Sequence, residues 1–385
     1  LGCVPGDRVA LLAKNCAEWF ISDLAIMQAG LVSVPLYPLQ SAESIAYVLE
    51  HAQCKVIVLG KLDDADKFEA GIGPQVTRIA MPYPTLPCAH DWHSLLAMHQ
   101  PLQHVAVQQP AQLLTLVYTS GTTGNPKGVM LSAHALAFAA TNACAQMHMT
   151  PQDRFFSFLP LSHVAERFMV EFNSLYCGAP VAFVESLETF ASDLRQVRPT
   201  VFFAVPRLWT RFQQGVLEQL PQAKLHLLLA LPLLGRLVAR KVRRGLGLDQ
   251  ARVLISGAAA ISPGLLAWYQ RIGLTLCEGY GMSENVAYGC FNRPGQVRFG
   301  TVGRPMPGLQ IRIAESGEIL LRSPSLMLGY YLEPEKTAEA LQDGWLYTGD
   351  KGELDSDGYL RITGRVKDIF KTSKGKYVTP ASIEG

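Results

Sequence analysis

The stretch YTSGTTGNPKGVM, Tyr118 to Met130, gathers hydroxyl side chains, glycines and a single lysine into one short run. Thr119, Ser120, Thr122 and Thr123 supply hydroxyls, and Lys127 adds a mobile positive charge. Gly121, Gly124 and Gly128 free the backbone for positive φ angles and close approach to a ligand. Backbone N–H groups, hydroxyls and an ammonium together are what a polyphosphate needs. No register fits G-x-x-x-x-G-K-[ST], so this is not the common P-loop. A flexible Gly/Thr surface loop accounts for the composition equally well, and the rest of the chain has to decide. His163 and Glu166 are spaced H-x-x-E, but no HExxH is present and nothing else clusters nearby, which makes a poor metal site. His90 and His93 fall in a Pro-rich loop region and receive no chemistry.

The elements around these residues alternate. DRVALL, CKVIVLG, LLTLVY, PVAFV, TVFFAV and RVLISG read as short strands. CAEWFISDLAIMQAG reads as a helix ending at Gly30, and SAHALAFAATNACAQM as a helix N-capped by Ser132. This alternation predicts mostly parallel α/β layers. LLTLVY, Leu113 to Tyr118, places the glycine-rich stretch at a strand's carboxyl end, where ligands bind in α/β sheets. After about Gly295 the texture changes to strands joined by Gly and Asp turns, which predicts a small antiparallel β unit.

Composition bounds the reading. The 385 residues are 49% hydrophobic and 17% charged, a folded composition, and the net charge of +2 implies no general attraction to nucleic acid. The eight cysteines form no CxxC pair, which favours a reduced, cytoplasmic setting. The longest apolar stretch, Leu225 to Ala239, is interrupted by Pro232 and Arg236 and is too short for a membrane span. Arg236, Arg240, Lys241, Arg243 and Arg244 lie close to its apolar part, LHLLLALPLL. They fit a solvated helix face, or a helix resting peripherally on an anionic membrane. The chain opens on Leu1 and stops at YVTPASIEG, so we expect a piece of a longer enzyme.

At YTSGTTGNPKG the chain resembles the adenylate-forming superfamily of acyl-CoA synthetases, luciferases and peptide-synthetase adenylation domains. LPLSHVAER (Leu159 to Arg167), EGYGMSEN (Glu278 to Asn285), YTGD (Tyr347 to Asp350) and GRVKDIFKTSKGKYVTP (Gly364 to Pro380) match in the same order. PLSHVAER and the run GYYLEPEKTAEAL…DGWLYTGDKGELD are most similar to long-chain fatty acyl-CoA synthetases. The resemblance implies two layered α/β subdomains plus a small β-barrel-like subdomain. Residues 1–363 would form the large domain, and 364–385 the hinge and the start of a truncated C-terminal domain.

The implied reaction joins a fatty acid to ATP, giving an acyl-adenylate, and then passes the acyl group to coenzyme A. The resemblance makes Glu284 and Thr119 the Mg2+ ligands. Lys127, Ser120, Gly121, Thr122, Thr123, Gly124 and Ser283 would lie on phosphates, Ser283 standing where many relatives have threonine. Adenine would sit between Gly257, Ala258 and Ala259 on one side and Glu278, Gly279, Tyr280 and Gly281 on the other, with Tyr280 as a stacking face. Asp350 would accept ribose hydroxyls, Arg365 would reach ribose or phosphate, and Lys371 belongs to the hinge segment. His163 would lie beside the acyl carboxylate, and RFMVEFNSLYCGAP and VFFAVPRLW could line an apolar acyl slot. Ligases loading a carrier protein, and aryl or short-chain acid ligases, remain alternatives, and oligomeric state stays open.

Overall fold

The computed structural model describes residues 1–119 and 125–366, together with the backbone of Phe370–Lys371 and Tyr377–Val378. Three sheets organise it. The largest runs in the order Gly329–Tyr330, Lys127–Ser132, Leu113–Thr119, Val32–Pro35, Arg8–Ala13, Cys54–Gly60, Thr77–Ala80, His90–Asp91. From Leu113–Thr119 to the His90 edge every pairing is parallel, and the last two strands at the other edge are antiparallel. Its central strands are almost continuous apolar runs because both faces are covered: Ala10, Leu11 and Leu12 have no exposed surface.

The second sheet places Val201–Ala204, Val253–Ser256 and Leu276–Tyr280 in parallel, then Cys290–Phe291 and Arg304–Pro305 antiparallel. The third is wholly antiparallel and is built from Gln310–Ile313, Glu318–Arg322, Leu341–Gln342, Trp345–Leu354 and Leu360–Arg365. The mixed α/β architecture with an added antiparallel unit agrees with the reading of the sequence.

Several local expectations hold for stated physical reasons. Ser132 caps the helix Ala133–Gln146, its hydroxyl accepting from the Ala135 N–H at 3.1 Å. The first helix ends at Gln28, with Gly30 at φ +75°. Pro232 divides the apolar stretch into helices Gln222–Leu229 and Pro232–Gly245, sitting at the start of the second where its missing N–H costs nothing. Among the described residues no helix is long and apolar enough to cross a membrane.

Three features differ from the sequence reading. Lys127–Ser132 is a strand rather than loop, because it pairs with Leu113–Thr119 from Thr119 opposite Lys127 to Leu113 opposite Ser132. Gly128 therefore has an extended backbone; its missing side chain makes room for Tyr118 and Tyr331, which an added Cβ would meet at 3.2 and 3.4 Å. The AHDWHS segment is an edge strand and a helix, Trp92–Met98, nucleated by Asp91, whose carboxylate accepts from the Ser94 N–H at 3.0 Å.

Candidate active site

The carboxyl ends of four strands converge. Leu113–Thr119, Val201–Ala204, Val253–Ser256 and Leu276–Tyr280 all deliver residues to, or just beside, one cavity of about 350 Å3. Thr119, His163, Gly257, Ala258, Gly279, Tyr280, Gly281, Ser283, Glu284 and Arg365 line it. Ten of the twenty candidates, separated by up to 246 positions in the sequence, thus come together, whereas Lys127 and Asp350 are outside the lining. Ala259 is exposed and outside the lining, and Glu278 is buried beside it. Ser120, Gly121, Thr122, Thr123 and Gly124 lie outside the described residues, as does the side chain of Lys371.

Backbone constraints shape the floor. Ala258 sits at φ +66° just past the strand Val253–Ser256. A Cβ on Gly257 would meet the Gly279 carbonyl and the Phe203 ring at 3.3 Å. A Cβ on Gly281 would fall 2.4 Å from the Ala287 backbone, so only glycine fits there. The tight packing holds the turn Ser283–Asn285, in which the Asn285 side chain accepts from the Met282 N–H at 2.9 Å. Glu284 rides on that turn, and its backbone carbonyl accepts from the Met327 N–H at 2.8 Å.

Polar side chains form two chains around the mouth. In the first, the Tyr330 hydroxyl donates to Glu284 Oε1 at 2.8 Å, and Lys127 Nζ stands 4.8 Å from the centre of the same ring. Burial, then the Glu284 carboxylate, raises the Tyr330 phenol, so it stays protonated and able to donate. In the second, the Tyr280 hydroxyl donates to Asp350 Oδ2 at 2.8 Å and Arg365 Nε lies 3.2 Å from Asp350 Oδ1. Asp350 and Arg365 are cross-strand partners in the antiparallel sheet, so Asp350 is a strand residue rather than a turn charge. The Tyr280 phenol is likewise raised, by burial and then by Asp350.

His163 caps the short helix Val164–Glu166, and its Nδ1 accepts from the Ala165 N–H at 3.1 Å. Burial lowers its pKa, so the ring is neutral with its proton on Nε2. Glu166 points into the core: it accepts from the Ser157 hydroxyl at 2.8 Å and the Phe158 N–H at 3.1 Å, and burial pushes it up to about 8. It does not pair with His163 around a metal, and no group of three His, Cys, Asp or Glu able to hold one occurs among the described residues. Of the apolar candidates for an acyl slot, Phe168, Met169 and Phe203 line the cavity. Phe202 and Trp209 pack on the opposite face of the sheet.

Tyr330 is the site residue that motif reading missed. It lies in the quoted run GYYLEPEK, but only the edge pairing of Gly329–Tyr330 with Val129 and Met130 carries it to Lys127. Its signal in the sequence is an aromatic pair flanked by glycine and leucine, which does not distinguish it from core.

The family of AMP-binding enzymes matches residues 1–331. The protein fadD11 of Mycobacterium tuberculosis is 39% identical over 306 residues, 72% of this chain and 54% of that protein. The long-chain-fatty-acid–CoA ligase FadD15 of Mycobacterium bovis is 32% identical over 419 residues, all of this chain and 69% of that protein. The chain thus spans between about half and two thirds of the length of these relatives. ATP-bound MatB from Rhodopseudomonas palustris superposes with a TM-score of 0.81 at 27% identity, over 100% of this chain and 72% of that one. With the convergent strand ends, the ordered motifs and the family match in agreement, the chain belongs to the AMP-binding enzyme family.

Proposed function

We propose that this chain binds ATP and a long-chain fatty acid for a fatty acid–CoA ligase reaction. A fatty carboxylate oxygen attacks the α-phosphorus of ATP, and pyrophosphate leaves. The thiol of coenzyme A then attacks the acyl carbonyl, loses its proton, and AMP leaves. The observation that carries the reading is the pair of polar chains at one cavity mouth, Lys127–Tyr330–Glu284 and Tyr280–Asp350–Arg365. The first presents a cation and a carboxylate for a metal-bound triphosphate. The second presents an ionised carboxylate able to accept two ribose hydroxyls.

One carboxylate, Glu284, with the Thr119 hydroxyl fits Mg2+, which is held by one or two protein oxygens plus substrate phosphates. Bound there, Mg2+ would offset repulsion between the two anionic reactants. Gly257, Gly279 and Gly281 let a flat base approach the backbone beside Tyr280. The Nε2–H of neutral His163 is a donor for the acyl carboxylate, and Phe168, Met169 and Phe203 offer the tail an apolar wall. Residues 364–385 would form the hinge to a further domain.

The eight free cysteines suit a reducing cytoplasm. Leu227, Leu231, Leu233, Leu234 and Leu237 are exposed beside Arg236 and Arg240, which supports peripheral membrane contact. Titration of non-hydrolysable acyl-adenylates from acetyl to palmitoyl tests the substrate. Affinity should rise by up to ~0.8 kcal/mol per methylene until the slot is full. A flat series, or preference for an aromatic acid, would favour an aryl or short-chain ligase instead.

A further inference from the structure

A second, larger cavity, about 840 Å3, lies away from the site just described, and the two share no lining residue. Strand alternation separates them. Phe203 and Ile255 face the first cavity, whereas their neighbours Phe202 and Leu254 join the cluster on the other face of the sheet. The second cavity is a groove bounded by helices Phe190–Val197, Pro206–Gln219, Gln222–Leu229 and Pro232–Gly245.

Its floor is apolar: Phe212, Val216, Val238 and Val242 are half-buried against the cluster around Trp209. Its rim is cationic: Arg195, Arg211, Lys224, Lys241 and Arg244 all line it and all are exposed. No Asp or Glu is among the lining residues, and none of the five cations lies within 4.0 Å of a carboxylate among the described residues. The nearest acidic residues in sequence look elsewhere: Asp193 accepts from Thr189 and the Glu185 N–H, and Glu218 is outside the lining. Gly215 leaves further space, since a Cβ there would meet nothing within 4 Å.

We propose that this groove binds an acyl chain carrying a multiply charged phosphate head, and that the ligand is an acyl-coenzyme A. The volume is in the range of small-molecule sites. Five unpaired cations exceed what a single carboxylate would neutralise and suit a head with several phosphate charges. The apolar floor takes the tail. Only the choice of coenzyme A as the head rests on the ligase reading; the groove itself does not.

The test is photo-labelling of the chain with dodecanoyl-CoA bearing a diazirine at the tail, followed by peptide mapping. Label is expected within residues 211–220 and 238–246. Gly215→Trp should abolish it by filling the groove, while Gly215→Ala retains it. Lys241→Glu with Arg244→Glu, both at exposed positions, should weaken it about tenfold. Label confined to peptides around His163 and Tyr280 would overturn the proposal yet leave the ligase reading standing. Groove labelling in a chain that fails to bind Mg-ATP would do the reverse. Competition by dodecanoate as strong as by unlabelled dodecanoyl-CoA would show that the charged head is irrelevant and overturn it. Competition by phosphatidylglycerol vesicles but not by dodecanoyl-CoA would assign the groove to a lipid surface instead.

Discussion

Tyr330→Phe removes one oxygen and leaves the ring in place under Lys127. What is lost is the hydrogen bond to Glu284 Oε1, 2.8 Å long and made to a carboxylate. Hydrogen bonds to charged groups contribute roughly 1.5–3 kcal/mol. Glu284 is only half-buried, so the lower end applies, equivalent to about a tenfold change in affinity. Tyr330 is a positioning residue in this scheme: it fixes the carboxylate that would face Mg2+. Calorimetric titration with ATP at saturating Mg2+ should therefore show about tenfold weaker binding for Tyr330→Phe, and on the order of a hundredfold for Glu284→Gln. The double variant should bind no worse than Glu284→Gln alone, because the two residues act through one carboxylate. Without Mg2+, Tyr330→Phe should match the parent. Thermal unfolding of each variant controls for the fold. Additive losses in the double variant, or an unchanged deficit without Mg2+, would refute this reasoning.

Arg167→Met should cost about 3–5 kcal/mol in urea unfolding, since it strands the fully buried Asp23 carboxylate without its cation. Gly281→Ala should weaken nucleotide binding and cost about 1–3 kcal/mol, because its Cβ would press on Ala287 at 2.4 Å; Gly257→Ala, with contacts at 3.3 Å, should be milder in both assays. Glu278 is pushed from 4.5 up to about 7 by burial, so the folded chain holds a proton there that the unfolded chain loses at lower pH. That contribution to stability is complete below 4.5 and lost as pH rises through 7, at most ~3 kcal/mol. Glu278→Gln should flatten this part of the pH–stability curve and exceed the parent at pH 8.

What could be read from the sequence follows the range of the interaction. LLTLVY, RVLI and TVFFAV form strands because apolar β-rich runs seek burial on both faces, and the neighbours within each run suffice to say so. Lys127–Ser132 could not be read this way. Its local pattern follows a glycine-rich stretch, and the strand exists only through pairing with Leu113–Thr119. Tyr330 and Glu284 are 46 positions apart, and their contact needs Gly329–Tyr330 to leave the β-rich part of the chain and join the large sheet. The motif residues around the cavity were legible as residues. The bonds that aim them, Tyr330 to Glu284 and Tyr280 to Asp350, were not, because each joins a strand residue to a separate element, a turn in the first case and another sheet in the second, 46 or more positions away.

The end of PLSHVAER illustrates how a motif can mix chemistry with architecture. His163 faces the cavity, yet Arg167, one turn on, is 1% exposed and reaches the other way. Its Nη2 lies 2.5 Å from Asp23 Oδ2, Nη1 donates to Thr115 Oγ1 at 2.8 Å, and Nε faces Glu171 Oε2 at 3.3 Å. One cation among two carboxylates would leave a buried negative charge, but burial, then Asp23, raises Glu171 well above its ordinary value, so it keeps a proton. The cluster then balances as one ion pair plus a neutral acid. Asp23 belongs to the first helix and Thr115 to the strand Leu113–Thr119, so the guanidinium ties that strand and the first helix to the segment that continues the helix capped by His163. An apolar trio could fill the same volume with similar stability. It could not fix three elements by directed bonds, and Thr119 and His163, which both line the cavity, sit on two of the elements that those bonds join.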